Sequence, residues 1–132
     1  MSECIIDHMS LSVADFASMV AFYEKALAPL GVKVLMRLGK DVTSNVALAG
    51  FGREKPFLWI ADGGKAEPHV HLAIRAESKA EVDAFFRAGI AAGGRDNGGP
   101  GLRPHYHPGY YGAFVIDPEG HNLEAVCHEA DA

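Results

Sequence analysis

The sequence predicts an α+β fold made of two βαβββ units that close around a shared core. Three observations support this fold. The chain contains two similar copies of one segment, offset by 63 residues, with the first copy starting at residue 8 and the second at residue 71. In each copy the apolar residues change from a two-residue to a 3.6-residue period, and glycine follows each helical segment. The matched positions are His8 with His71, Leu11 with Ile74, Asp15 with Ser78, Phe22 with Phe85, Tyr23 with Phe86 and Gly31 with Gly94. A histidine therefore opens both copies at equivalent places.

The first copy begins with a strand over residues 4–13, in which apolar and polar side chains alternate. Asp15 is in position to cap a helix, and Gly31 is in position to end it. The apolar stripe of that helix consists of Phe16, Met19, Val20, Tyr23, Leu27 and Leu30. Three strands are expected next, over 32–38, 42–49 and 56–61. Gly50 and Gly52 are expected to form the break before the last of them.

The second copy follows a polar linker at 62–68 and opens with an alternating strand at His71. Ser78 and Glu81 have the spacing of a capping box, in which the two side chains satisfy each other's backbone amides. The apolar face of the helix that follows consists of Val82, Phe85, Phe86, Gly89 and Ile90. Gly93 is expected to end this helix.

Residues 95–109 are rich in Gly, Pro, Arg and His, and they predict a long loop with a short strand near 102–106. Two closing strands are expected over 110–117 and 121–127. Between them, Asp117-Pro-Glu-Gly120 is typical of a type I turn, after which His121 is expected to be exposed. Each copy is thus βαβββ, which gives eight strands and two helices in all.

Length and composition predict a single domain over 1–132, with a first module at 4–61 and a second at 69–128. The net charge is −5 and no Lys/Arg cluster is present, which excludes nucleic acid as an expected partner. No apolar run reaches the roughly 18 residues of a membrane span, so no membrane association is expected.

The expected location is the cytoplasm. The N-terminal residues show no basic segment followed by an apolar one, as a signal peptide would. Cys4 and Cys127 are expected to be buried thiols rather than a disulfide, as is usual for a cytoplasmic protein.

The strongest functional signal is a candidate metal site formed by His8, His71 and Glu124. Apolar residues alternate with Glu124 in the last strand, so its carboxylate should point away from the helices, and a carboxylate there is costly unless something balances its charge. The two histidines occupy the corresponding face of the two opening strands. Two imidazoles and one carboxylate on rigid strands are the set that binds Fe(II) with open positions, and the same donors suit Zn, Mn, Co or Ni.

Each of these residues also has an explanation that needs no metal. A strand histidine is commonly a hydrogen-bonded residue of intermediate burial, and Glu124 would be unremarkable on an edge strand in water. The internal repeat favours the metal site, because it makes His8 and His71 equivalent.

The segment 103–111 holds the second group of candidates. Arg103 is suited to holding a carboxylate or phosphonate through two N–H groups. His107 and Tyr111 are the preferred catalytic residues, and Tyr110 is expected to contact substrate. The alternative is a proline-stiffened surface loop whose aromatic rings cap the fold.

Trp59 is the only tryptophan. Packing in the core is the simpler explanation for a large aromatic residue. If it lines the cup instead, it would contact substrate from the fourth strand of the first module.

The chain resembles the vicinal oxygen chelate superfamily, which groups glyoxalase I, bleomycin-resistance proteins, extradiol dioxygenases and fosfomycin-resistance thiol transferases. The segments that carry the resemblance are His8-Met-Ser-Leu-Ser-Val-Ala-Asp15, Phe22-Tyr23 with Leu27 and Gly31, His71-Leu-Ala-Ile74, and Phe114-Val-Ile-Asp-Pro-Glu-Gly-His-Asn-Leu-Glu124. The resemblance implies two βαβββ modules that form a partly open, cup-shaped, eight-stranded barrel around a divalent metal. It also implies His8, His71 and Glu124 as the ligands, and a homodimer.

The resemblance to glyoxalase I stops at the fourth strand, where that enzyme has a fourth protein ligand. Residues 56–61 contain no carboxylate or imidazole. A three-ligand site resembles the dioxygenase and thiol-transferase branches better, although extradiol enzymes usually have longer chains.

Two functions are therefore expected, in order, and a non-catalytic remnant of the fold that binds no ligand is the third alternative. The first is a metal-dependent enzyme that holds a small oxygenated substrate and acts as a lyase, isomerase, thiol transferase or dioxygenase. The second is a metal-free protein that sequesters a small molecule, as bleomycin-resistance proteins do.

Overall fold

The computed structural model describes residues 4–43 and 46–128 of the chain. The strands in these ranges are β1 (Met9–Ser12), β2 (Lys33–Leu38), β3 (Leu48–Gly52), β4 (Pro56–Ala61), β5 (His71–Arg75), β6 (Arg95–Asp96), β7 (Gly101–Leu102), β8 (Tyr111–Ile116) and β9 (Asn122–Cys127). The helices are α1 (Phe16–Leu27), a single turn α2 (Lys40–Thr43) and α3 (Lys79–Ala91), and a 3₁₀ turn extends α1 over Ala28–Leu30.

The strands form two separate sheets, one from each module. The first has the order β1-β4-β3-β2, and the second has the order β5-β9-β8-β6, with β7 also paired to β8. Strand β1 runs parallel to β4, and β5 runs parallel to β9, whereas the remaining pairs are antiparallel. No strand pairing joins the two sheets in the described residues, so the predicted α+β cup is confirmed without a closed barrel.

The core lies where the helices cover the sheets. Helix α1 packs on β2 and β4, α3 packs on β8 and β9, and the two helices contact each other. Leu11 and Val13 point into this core while Ser10 stays exposed, as the alternation predicts. One face of each sheet is therefore buried, and the opposite face is left without a helix.

Both helix starts are capped as predicted. Asp15 accepts a hydrogen bond from the amide of Ser18, with Oδ1 3.2 Å from the nitrogen, and Ser78 accepts one from the amide of Glu81 at 3.1 Å. The Glu81 carboxylate departs slightly from the predicted capping box, because it accepts from the amide of Glu77 rather than from that of Ser78.

The predicted strand over 42–49 is wrong in position. A helical turn occupies Lys40–Thr43, residues 44 and 45 lie outside the described ranges, and β3 runs over Leu48–Gly52. Gly50 is therefore inside a strand and not in a break. A Cβ at this position would lie 2.8 Å from the Trp59 ring, so the glycine makes room for the indole on the neighbouring strand.

The opening strand is shorter than the predicted 4–13. Strand β1 covers only Met9–Ser12, paired with β4 from Leu58 to Ala61. The partner strand β4 begins at Pro56. Because proline has no N–H, it cannot donate a hydrogen bond that would extend the pairing of the two strands. The short strand predicted near 102–106 lies at Gly101–Leu102.

The turn at residues 117–120 closes as predicted, since the amide of Gly120 donates to the carbonyl of Asp117 at 2.9 Å and Gly120 has a φ of 94°.

The expected exposure of His121 is wrong, because only 1% of this residue is exposed. Its backbone amide donates to the Asp117 carboxylate at 3.0 Å, and its Nδ1 accepts from the amide of Val70 at 3.0 Å. These two hydrogen bonds hold the residue in a buried position.

Of the described helices, none has both the length and the apolar character that crossing a membrane requires.

Candidate functional site

The face of the second sheet that carries no helix holds the candidate site, and we call it the open face. Residues of β9 alternate across the sheet, so Leu123, Ala125 and Cys127 lie in the core and Glu124 points to the opposite side. The register places Phe114 opposite Glu124 on β8 and Ala73 opposite it on β5.

Glu124 is the centre of the open face. Only 1% of this residue is exposed, and its carboxylate has two side-chain partners. Nε2 of His71 lies 2.7 Å from Oε1, and the Tyr110 hydroxyl donates to Oε2. The His71 side chain remains 53% exposed, so the imidazole joins the buried carboxylate to solvent.

The phenol of Tyr110 is held in its protonated form. Burial raises the pKa of Tyr110 well above its usual value, and the hydrogen bond to Glu124 raises the pKa further. Gly112 makes this contact sterically possible, because a Cβ there would lie 3.2 Å from the Tyr110 ring and 3.3 Å from Oε2 of Glu124. At neutral pH, Tyr110 is thus a hydrogen-bond donor that positions the carboxylate.

Arg103 lies beside this group, within the 95–109 loop. Its Nη1 and Nη2 atoms donate to the carbonyls of Gly101 and Gly99 respectively, both at 2.9 Å. Its guanidinium carbon lies 5.3 Å from the centre of the Phe114 ring on the open face. The loop therefore folds over the sheet and holds the arginine in a defined orientation.

His107 contacts the Tyr110 ring, and of these two residues only Tyr110 contacts Glu124. Its Nε2 lies 3.0 Å from Nδ1 of His128, and these two imidazoles are stacked. The His107 ring also packs edge-on against Tyr110, with the ring centres 5.2 Å apart. Tyr110 thus separates His107 from Glu124.

Tyr111 lies on the other face of the sheet. Its hydroxyl donates to Asp83 of α3 at 2.6 Å, and this hydrogen bond raises the pKa of Tyr111. The Lys79 ammonium lies over its ring at 5.2 Å. The structure therefore places Tyr110, and not Tyr111, beside Glu124.

His8 does not join His71 and Glu124 within one chain. It is exposed just before β1 of the first sheet, where Nδ1 lies 2.7 Å from the Asp7 carboxylate and lowers the pKa of Asp7. Within residues 4–43 and 46–128, no three His, Cys, Asp or Glu side chains are grouped so that they could hold a metal ion.

Trp59 is not in the core. It is half-buried on the face of the first sheet that points away from α1, between Ser10 on β1 and Gly50 on β3. The large aromatic residue therefore lies on the uncovered face of the first sheet.

Sequence reasoning missed a concavity next to Glu124. It has a volume of about 380 Å³ and is lined by Asn97, Gly98, Arg103, Tyr106, Phe114 and Asn122. The signal was available for Asn122, because it precedes Glu124 by two residues on the same strand and must share its face. Oδ1 of Asn122 is buried and has no hydrogen-bond partner among the described residues.

Comparisons with known proteins agree with this architecture. The family model of the Glyoxalase/Bleomycin resistance protein/Dioxygenase superfamily matches residues 5–125. No curated protein matches the sequence.

Solved structures share the fold. A glyoxalase/bleomycin resistance protein from Albidiferax ferrireducens T118 is 23% identical, with 94% of this chain and 98% of that chain covered and a TM-score of 0.73. Lactoylglutathione lyase from Agrobacterium tumefaciens is 20% identical over 97% of this chain and 96% of that chain, with a TM-score of 0.66. The fosfomycin resistance protein FosX from Mesorhizobium loti is 19% identical over 96% and 92%, with a TM-score of 0.67.

Proposed function

The chain belongs to the Glyoxalase/Bleomycin resistance protein/Dioxygenase superfamily, and from this membership we propose that it is a divalent-metal-dependent enzyme acting on a small oxygenated substrate. The observation that carries the proposal is Glu124, a carboxylate that is almost fully buried on an otherwise open sheet face, with an imidazole nitrogen 2.7 Å away. Burying a charge in this way is costly unless a cation or a proton balances it.

The donors present fit a divalent ion. Nε2 of His71 and Oε1 of Glu124 converge on one side of the sheet, and imidazole with carboxylate is a donor set for Zn, Fe, Mn, Co or Ni. Tyr110 occupies the second carboxylate oxygen, which leaves Oε1 as the atom available for coordination. Two donors do not complete a site, so a third must come from elsewhere.

We assign the third donor to His8 of the partner subunit in a homodimer. His8 lies at the first sheet, apart from His71 and Glu124 of its own chain. Both sheets have a face without a helix, and pairing the open face of one copy with the Trp59 face of another would cover both. A two-fold dimer of this kind forms two equivalent sites.

The chain's own residues have separate functions in this site. When bound, the metal would polarise a substrate oxygen and stabilise negative charge that develops there. Tyr110 keeps Glu124 in position, Arg103 holds the substrate beside it, and His107 supports Tyr110 through the edge-on contact of their rings.

The reaction is a lyase, isomerase, thiol-transfer or dioxygenase step. Strand β4 supplies no carboxylate or imidazole, and Trp59 stands on its uncovered face, so a four-ligand glyoxalase I site is not proposed. One similar structure is named as a lyase and another as a fosfomycin resistance protein. A panel of hemithioacetals, epoxides with thiols, and catechols distinguishes these reactions.

A second candidate is a metal-free binding protein. The aromatic residues Tyr106 and Phe114, which line the concavity together with Arg103, favour it, because small-molecule sites are typically aromatic with a few polar groups. Such a protein would sequester its ligand without changing it.

Metal content decides between the two candidates. We expect protein purified without chelator to contain a divalent metal, and His71→Ala to weaken its binding by at least about tenfold, since even groups that only support metal ligands change affinity by about 10–100-fold. His69→Ala is the matched control, because His69 is exposed and two residues away. If both variants and the unmodified chain contain equally little metal, and none of Mn, Fe, Co, Ni or Zn raises the melting temperature, the enzyme proposal is wrong.

We also propose a cytoplasmic location. No disulfide joins Cys4 and Cys127, as is usual in a reducing compartment. Cys127 is buried as expected, whereas the expected burial of Cys4 is wrong, because Cys4 is exposed.

A further inference from the structure

Arg103 differs from every other arginine of the chain. All six arginines are described, and only Arg103 is not exposed. No carboxylate lies within ion-pair distance of it among the described residues, whereas Arg37 pairs with Glu24 and Arg53 with Glu77. A half-buried cation without a counter-charge is unusual, because burying a charge costs free energy.

The loop is built to hold this guanidinium in place. The two bonds to the carbonyls of Gly99 and Gly101 use two of the five N–H groups of the side chain, which leaves three without a partner among the described residues. A Cβ at Gly98 or at Gly101 would lie 3.2 Å from a guanidinium nitrogen. Glycine at both positions therefore leaves space for the guanidinium, whose carbon lies 5.3 Å from the centre of the Phe114 ring.

Arg103, with these three N–H groups unused, lines the concavity of about 380 Å³ next to Glu124. Asn122 lines the same concavity, and its amide is not satisfied within the described residues, since Oδ1 has no partner. No hydrogen bond fixes which end of this amide faces the concavity. With its NH₂ group turned toward the concavity, Asn122 would be a further donor beside the arginine.

We propose that this concavity is a binding site for a small oxyanion, a carboxylate or a phosphonate, held by Arg103 and Asn122. A guanidinium presents paired N–H groups that match the two oxygens of such an anion. Identifying the anion as part of the substrate rests on the proposed function, whereas anion binding itself does not. In the enzyme, Arg103 would hold the charged end while the rest of the molecule lies over Glu124 and His71.

The test uses the full chain, stripped of metal and titrated with acetate, methylphosphonate or neutral acetamide. Binding is followed by NMR through the Nε–H of Arg103 and the side-chain amide of Asn122. We expect acetate or methylphosphonate to shift both signals saturably, and acetamide to shift neither. The stronger of the two anions identifies the preferred oxyanion.

Substitutions test the assignment. Arg103→Met is expected to weaken binding of the better anion by at least about tenfold, and Arg103→Lys, which keeps the charge but loses the paired N–H groups, by less. Arg87→Met is the matched control, because it removes an exposed positive charge on α3 and should leave binding unchanged. Melting temperatures of all variants show that they are folded.

Either of two results overturns the inference: acetamide shifts the signals as the anions do, or Arg103→Met binds as tightly as Arg87→Met. A separate titration with Zn²⁺ reports on the proposed function. If Zn²⁺ does not bind but the anions do, the metal-enzyme proposal fails and the oxyanion site stands. If Zn²⁺ binds and the anions do not, the reverse holds.

Discussion

Two adjacent tyrosines donate hydrogen bonds to carboxylates on opposite faces of one sheet. Tyr110 donates to Glu124 on the open face, and Tyr111 donates to Asp83 on the helix side. A third, Tyr23, donates to buried Asp117 at 2.6 Å. Burial raises the pKa of Tyr23 and of Tyr110, and the neighbouring carboxylate raises both further. For Tyr111, the hydrogen bond to Asp83 is the main cause of the raised pKa.

These shifts predict a loss of stability at alkaline pH. A tyrosine whose folded pKa is raised stabilises the fold fully below the unfolded pKa of about 10, and this contribution is lost as the pH rises above that value. We expect the free energy of unfolding, measured with urea, to fall between pH 9 and 11, and to fall less steeply in Tyr110→Phe. Tyr106→Phe is the control, since no hydrogen bond joins Tyr106 to a carboxylate among the described residues. Equal slopes for Tyr110→Phe and the unmodified chain would contradict the prediction.

For single residues, strand periodicity predicts the direction of a side chain within a strand but not in the loop beside it. It predicted which way Glu124 points, because β9 alternates regularly. It did not distinguish Tyr110 from Tyr111, because the loop leading into β8 has no fixed period. The burial of His121 depends on Val70, which is 51 residues away along the chain, and no local pattern contains that contact.

The turn at 117–120 connects the two modules at the level of elements. The Glu119 carboxylate accepts from the amide of Ala14 at 2.9 Å and from that of Asp15 at 2.7 Å, just before α1 begins. These amides precede the helix and have no partner within it. A negative charge at this end also interacts favourably with the helix dipole.

We expect Glu119→Ala to destabilise the chain by about 1–2 kcal/mol, because hydrogen bonds to a charged group are worth about 1.5–3 kcal/mol and water replaces part of them here. Urea denaturation measures the change. Glu54→Ala, at an exposed residue, should change the free energy of unfolding by less than about 0.5 kcal/mol. A similarly small effect of Glu119→Ala would show that the turn does not anchor α1.

The sequence predicted most elements, and its failures share a cause. Helices α1 and α3 and their caps follow from local spacing and from Asp15 and Ser78. Strand β3 was misplaced because Gly50 and Gly52 are typical of a break, whereas here Gly50 lies under Trp59 of the next strand. The position of β3 depends on contacts with the neighbouring strand, and the sequence of a single segment does not reveal such contacts.

At the scale of the whole molecule, each module keeps its own sheet and leaves one face uncovered. The candidate ligands are divided accordingly, with His8 at the first sheet and the pair His71 and Glu124 on the second. The repeat aligns the two histidines in sequence, but His71 begins β5 whereas His8 precedes β1. Equivalence within a repeat does not mean proximity within a chain, which is why the predicted three-residue cluster was not found in one copy.

Mixing two inactive variants tests the shared site. His8→Ala and His71→Ala each damage every site of their own homodimers, but a mixed dimer retains one intact site. After joint refolding of equal amounts, we expect metal content of about one quarter of the unmodified protein, because half of the dimers are mixed and each holds one of two sites. If the mixture binds no more metal than the separate variants, the ligands do not come from two subunits.

The contact between His71 and Glu124 spans 53 residues of chain, and this spacing has a consequence during synthesis. The imidazole leaves the ribosome well before the carboxylate does, and β5 has no parallel neighbour until β9 has emerged. A nascent chain therefore carries His71 without its carboxylate partner for several seconds at ordinary translation rates of about 5–20 residues per second. The buried carboxylate and its imidazole partner can therefore meet only after β9 has been synthesised.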